Sequence, residues 1–93
     1  MKVYASIRNR PTWITGWPQG GWHGADPSEP GARRLPFHFD LTDDGDAGFL
    51  LVYDSADGVL AADTWHQTLA DPYDVAESCF GIRRPEWMPA ERD

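Results

Sequence analysis

Leu35, Phe37, Phe39 and Leu41 alternate with Pro36, His38, Asp40 and Thr42, the clearest period-two pattern in the chain. Successive strand residues point to opposite faces of a sheet, so this segment predicts a strand with one buried face. Val3, Ala5 and Ile7 alternate with Tyr4, Ser6 and Arg8 in the same way and predict a first strand. Asp43-Asp44-Gly45-Asp46 turns the chain, its glycine supplying the positive φ that tight turns require. Phe49-Leu50-Leu51-Val52-Tyr53 then returns as a more fully buried strand, and Asp57-Gly58 turns again into Val59-Leu60-Ala61-Ala62. The result is a three-stranded antiparallel meander.

A helix follows. Tyr73, Ala76 and Phe80, with Val75, Cys79 and Ile82, form a broad apolar stripe at helical spacing, and Gly81 ends it. Asp71 as cap with Pro72 at the first helical position suits proline's missing N–H. A capping box from Thr68 to Asp71 would put Pro72 where an amide is needed, which allows only a distorted first turn. Between the first strand and Leu35 the pattern breaks into Gly, Pro and polar residues around Trp13, Trp17 and Trp22. Trp17-Pro18-Gln19-Gly20-Gly21-Trp22 reads as a turn between two short extended pieces. The segment around 25–34 has too little apolar surface to offset chain ordering, and it predicts a mobile loop. The tail from Arg83 is expected to anchor through Trp87 and Met88 and then fray over 88–93. Together these predict one α+β domain over 1–93: a mostly antiparallel sheet of four to five strands with one helix packed on one face. The Trp-rich segment is expected on an edge or across the opposite face.

Composition narrows the function classes. Fifteen acidic residues against 8 basic give a formal net charge of −7, which opposes binding to phosphate backbones and permits a basic protein partner. A single cysteine, Cys79, excludes an internal disulfide, and a chain of 93 residues without one suits a reducing compartment. The N-terminus reaches a second basic residue, Arg8, before an apolar run of signal-peptide length forms. No stretch approaches the roughly 20 apolar residues that cross a bilayer. The expectation is a cytoplasmic protein that binds neither nucleic acid nor membrane.

The block Tyr53-Asp54-Ser55, Asp57-Gly58, Asp63-Thr64-Trp65-His66-Gln67-Thr68-Leu69, Ala76-Glu77 and Phe80-Gly81-Ile82 followed by a tryptophan covers about half the chain. It resembles a family of small, acidic, functionally uncharacterised bacterial proteins, a resemblance that implies no activity and carries over no site residue. The run from the sheet through Thr68-Leu69 to Ala76 is similar in architecture to HicB-type antitoxins, whose strands lead into a helix through a Thr-Leu-x-x-Ala pattern. The chain lacks their DNA-binding extension, and its Trp-rich front half departs from them.

Candidate chemistry is sparse. His23, His38 and His66 lie among aspartates, and imidazole with carboxylate is a metal-ligand combination, yet none has a partner at a known ligand spacing. Asp40, Asp43, Asp44 and Asp46 suggest calcium, but no twelve-residue window opened at Asp40, Asp43 or Asp44 closes on glutamate, and hairpin turns use Asp and Gly for conformational reasons. Cys79 on the apolar helix face is expected to be a small buried hydrophobe rather than a nucleophile. Neither a catalytic set, a metal site nor a cofactor site is therefore expected. Five tryptophans in 93 residues are the stronger clue. Trp13, Trp17 and Trp22, with Trp65 and His66 at the sheet–helix junction, are the candidate binding residues. The first three either cover the sheet face left open by the single helix or form an interface. The reading that follows is a non-enzymatic interaction module, immunity-like or antitoxin-like, with an acidic surface. A domain binding a small molecule or carbohydrate, a metal-dependent enzyme on His66 and His38, and a homodimer are the alternatives.

Overall fold

The computed structural model describes residues 2–17 and 21–92. One curled, antiparallel sheet of six strands carries a single helix: β1 (Val3–Trp17), β2 (Gly21–Gly24), β3 (Arg33–Asp43), β4 (Phe49–Ser55), β5 (Ala61–His66), α1 (Ala70–Phe80) and β6 (Met88–Arg92). The strand order is β2-β1-β3-β4-β5, with β6 paired to the first half of β1. The α+β class holds, but the sheet exceeds the expected four to five strands. The additions are the hairpin strand β2 and the tail strand β6.

The meander forms where the alternation places it. Phe37, Phe39 and Leu41 of β3 are fully buried on one face, beside Ser55, Tyr53 and Leu51 of β4 in register. Alternation also persists in β4, where Leu51 and Ser55 are buried and the residues between them half-buried; no residue of β4 is exposed, unlike β3 and β5, so it is the more fully buried strand expected there. The last meander strand lies further along than expected. Leu60 is buried, but Val59 stays in the turn, 62% exposed, and pairing runs from Ala61 to His66.

β1 is far longer than its first alternation suggests. Its register against β3 shifts between Val3 and Ala5 and again between Ile7 and Arg10. At the second bulge Asn9 has φ 55° and its amide donates to Nδ1 of His38 at 3.2 Å. A bulge inserts a residue and so flips which parity faces inward. Ala5 and Ile7 pair with Leu41 and Phe39, whereas beyond the bulge Arg10, Thr12 and Ile14 take that face.

Helix α1 covers this face. Its cap is Leu69, without a side-chain cap bond, two residues earlier than the expected Asp71 cap, with Pro72 buried inside the first turn, where its missing N–H costs nothing. Gly81 closes it in the left-handed region at φ 70°, its amide donating to the Glu77 carbonyl. Phe80 lies 5.2 Å from Phe39 and 5.0 Å from Tyr53, ring centre to ring centre, while Trp87, 8% exposed, meets Phe39 and Tyr73 edge-on. The tail therefore anchors through Trp87 but not through Met88, which is 65% exposed. The 25–32 connection is organised by its own carboxylates: Asp26 accepts from the Ser28 amide and hydroxyl, and Glu29 from the Asp26 amide. Among the described residues no helix is long and apolar enough to cross a membrane.

Candidate functional site

Among the described residues, no helix lies over the second face of the sheet. Register places Val3, Thr42, Leu50 and Trp65 side by side across β1, β3, β4 and β5. The neighbouring row is Met88, Ser6, Asp40, Val52 and Asp63, from β6 to β5. Cross-strand partners on one face are contact neighbours, so the two rows lie together, mixing Val3, Leu50, Val52, Trp65 and Met88 with polar residues and the carboxylates of Asp40 and Asp63. Trp65 is 58% exposed at one end of this face and Met88 is exposed at the other. At about 4.8 Å per strand spacing, four spacings separate them by about 19 Å along the sheet.

Trp65 is held in place rather than free to turn. Its indole N–H donates to Oδ2 of Asp44 at 2.7 Å, and its ring lies over Gly48, where any β-carbon would run into the indole. The Asp44 carboxyl also accepts the Asp46 and Gly48 amides at Oδ1. That set of donors, the indole first, keeps it below the usual carboxylate range and charged beside the exposed ring. Arg8 is bound to Asp40 through two bonds of 3.1 and 2.8 Å. Asp63 and Asp54, on the same face, have no ion-pair partner among the described residues.

The five residues singled out by the sequence do not form one site. His66 is 5% exposed on the helix side of the sheet, its Nδ1 2.7 Å from Asp71 and its Nε2 2.6 Å from the Thr64 hydroxyl. A carboxylate only accepts, so Nδ1 carries the proton and Nε2 receives the threonine O–H. The residue ties the end of β5 to the first turn of α1. Trp22 belongs to the same interior, 5.4 Å from Phe37 and 5.6 Å from Tyr53. The expected interface of Trp13, Trp17 and Trp22 is thus divided, with Trp22 serving the core and the Trp17 side chain lying outside the described residues, as does the expected turn at 18–20.

Trp13 lines a separate open cleft of about 880 Å³, with Arg10, His23, Arg34, Glu77 and Cys79 among its other walls. Cys79 is exposed there, not buried, because the helix turns Tyr73, Ala76 and Phe80 toward the sheet and Cys79 away from it. Tyr53, half-buried nearby, has its hydroxyl pushed above the ordinary tyrosine range, first by burial and then by the charges of Cys79 and Asp63.

His38 and His66 lie on opposite faces of the sheet and do not meet. Asp43 and Asp44 spend their oxygens on the amides of Lys2, Gly45, Asp46 and Gly48 and on the Trp65 indole, the conformational use of carboxylates in a turn. Among the described residues no three His, Cys, Asp or Glu side chains converge as a metal site. Sequence reasoning missed Leu50 as the cross-strand neighbour of Trp65, and Val3 and Met88 as further residues of the same face. The period-two pattern contained the signal for Leu50, which has the opposite parity to the buried Leu51, but it put Val3 on the buried face with Ala5 and Ile7; the bulge between Val3 and Ala5 moves Val3 to the other face. Comparison with protein-family models, curated proteins and solved structures returns no match.

Proposed function

We propose that this chain is a non-enzymatic protein–protein interaction module, of the immunity or antitoxin kind, that docks a basic protein on the uncovered face of its sheet. The observation that carries the reading is the fixed, 58% exposed Trp65 beside Leu50, at the end of a row that runs on through Thr42 to Val3, with carboxylates on the same face. Rigid aromatics set among apolar neighbours concentrate binding energy, and charge of one sign at the margins speeds encounter with the opposite sign. Asp44, Asp54 and Asp63 would supply that margin, and the net charge of −7 supplies the longer-range field. Trp65 and Met88 would be the two anchors. This moves the anchoring role from Trp13, Trp17 and Trp22 to β5 and β6.

The test is capture from lysate of the source cell by immobilised wild-type chain, Trp65→Ala, Met88→Ala and Trp13→Ala. A basic protein recovered by wild type and Trp13→Ala is expected to be lost with Trp65→Ala and weakened with Met88→Ala. Its affinity should fall by about tenfold or more when an interface tryptophan is truncated. Equal recovery on Trp65→Ala would overturn the reading, provided its unfolding curve matches wild type.

A further inference from the structure

We propose that the cleft beside Trp13 is a second binding site, independent of the docking face, and that it takes a neutral sugar. Several of the charged groups around it are already engaged. Arg10 is ion-paired to Glu86 and donates to the Gly81 carbonyl, Asp26 is held by Ser28, and Glu29 accepts the Asp26 amide. Among the described residues, Trp13, His23, Arg34 and Glu77 line the same cleft with no ring contact, ion pair or side-chain hydrogen bond of their own. Register puts Arg34 directly opposite Trp13 on the neighbouring strand, and His23 opposite Thr15, two residues further along β1. One indole is thereby bordered by cationic or neutral donors at Arg34 and His23, while Glu77 adds an acceptor to the wall.

The charges decide the class of ligand. Arg10 and Arg34 stand against Asp26, Glu29 and Glu77 in the lining, so the cleft has no surplus of positive charge to hold a phosphate or carboxylate. The field of a chain at −7 opposes anions further. A cation would find Glu77 but would also face Arg34. A sugar ring fits the combination, because it presents a C–H face to an aromatic surface and a rim of hydroxyls that both donate and accept. A volume of about 880 Å³ lies within the range of small-molecule sites, and its open shape would admit one or two residues of a longer chain.

The test uses the full chain on an array of neutral oligosaccharides of glucose, galactose, mannose and N-acetylglucosamine. Sialylated and sulfated glycans and nucleotides are included, and hits are titrated by tryptophan fluorescence and amide NMR. A neutral oligosaccharide is expected to shift the amides of Trp13, His23 and Arg34. Trp13→Ala should weaken binding by about tenfold or more, Arg34→Ala and Glu77→Gln by several-fold, and Trp65→Ala by nothing. Arg34 and Glu77 are exposed, so their variants remain informative if Trp13→Ala fails to fold. The proposal is overturned if no neutral glycan binds up to about 10 mM, if the anionic probes bind in preference, or if binding survives Arg34→Ala and Glu77→Gln unchanged. Loss of binding in Trp65→Ala alone would place the ligand on the docking face instead.

Discussion

Ser55 illustrates how much one small side chain holds at a turn. Its hydroxyl, in a residue only 1% exposed, donates to Asp57 at 2.5 Å and accepts the Leu60 amide at 3.0 Å. Asp57 also receives the Val59 amide, so the turn from β4 to β5 is built around one serine and one carboxylate. Ser55→Ala leaves the buried Leu60 amide without its side-chain acceptor, a loss of about 1–3 kcal/mol that chemical denaturation should register as a lower midpoint at unchanged slope. The same variant has a pH signature. Asp57 is held below its ordinary value of 3.8 chiefly by the serine hydroxyl, then by the Val59 amide. A carboxyl depressed on folding contributes stability that is present above its unfolded pKa and is lost as pH falls through the folded one. Ser55→Ala should therefore raise the Asp57 midpoint in an NMR titration and flatten the loss of stability below about pH 4. An unmoved Asp57 would mean that the backbone amides alone set its charge.

At the scale of elements, the junction between β5 and α1 rests on His66. The helix has no side-chain cap at Leu69, and its first turn is fastened instead through Asp71 to a histidine that is itself fixed by Thr64. His66→Ala, Asp71→Ala and the double variant form a cycle whose coupling energy isolates that bond, and about 1 kcal/mol is expected for a charge-assisted hydrogen bond with one exposed partner. A coupling near zero would show that packing of Pro72, Ala76 and Ile82 alone seats the helix. Elements of this kind differ in how far the chain announces them. Phe37, Phe39 and Leu41 kept a single parity, and Gly81 marked a helix end, so both were legible. β1 was not, because its two bulges change the inward parity twice, and a pattern read at fixed period two loses phase at Asn9. β6 was hidden for another reason: its strand carries Pro89 at an edge, where proline's missing N–H is tolerated but its presence reads as a break. The candidate site was half legible for the same cause. Trp65 and His66 stood out by type, but it is the extension of β5 through both of them, past the expected end at Ala62, that turns one to solvent and the other to the helix.

For the whole molecule the governing quantity is charge. Many of the fifteen acids are not neutralised by bases. Asp26, Asp43, Asp44 and Asp57 are held by backbone amides, and the hydrogen-bonded carboxyls of Asp26, Asp44 and Asp57 are shifted toward the ionised form. The ion pairs Arg8–Asp40 and Arg84–Asp74 are solvent-exposed on at least one side, and pairs of that kind contribute little. Self-repulsion among the remaining acids should therefore outweigh attraction, and salt that screens it should stabilise the fold. With a screening length of about 10 Å at 0.1 M, raising sodium chloride from about 20 to about 300 mM covers the relevant separations. A gain of about 0.5–1 kcal/mol would appear as a rise of roughly 2–8 °C in the thermal midpoint of a chain this size. Docking of a basic partner on the Trp65 face must move the other way, since the same screening weakens attraction between opposite charges. The two responses separate the causes of a salt-sensitive complex: a partner lost while the thermal midpoint rises is lost electrostatically, from an intact docking face. If both fall together, the chain depends on its ion pairs for folding, and the argument from surplus negative charge fails at its first step.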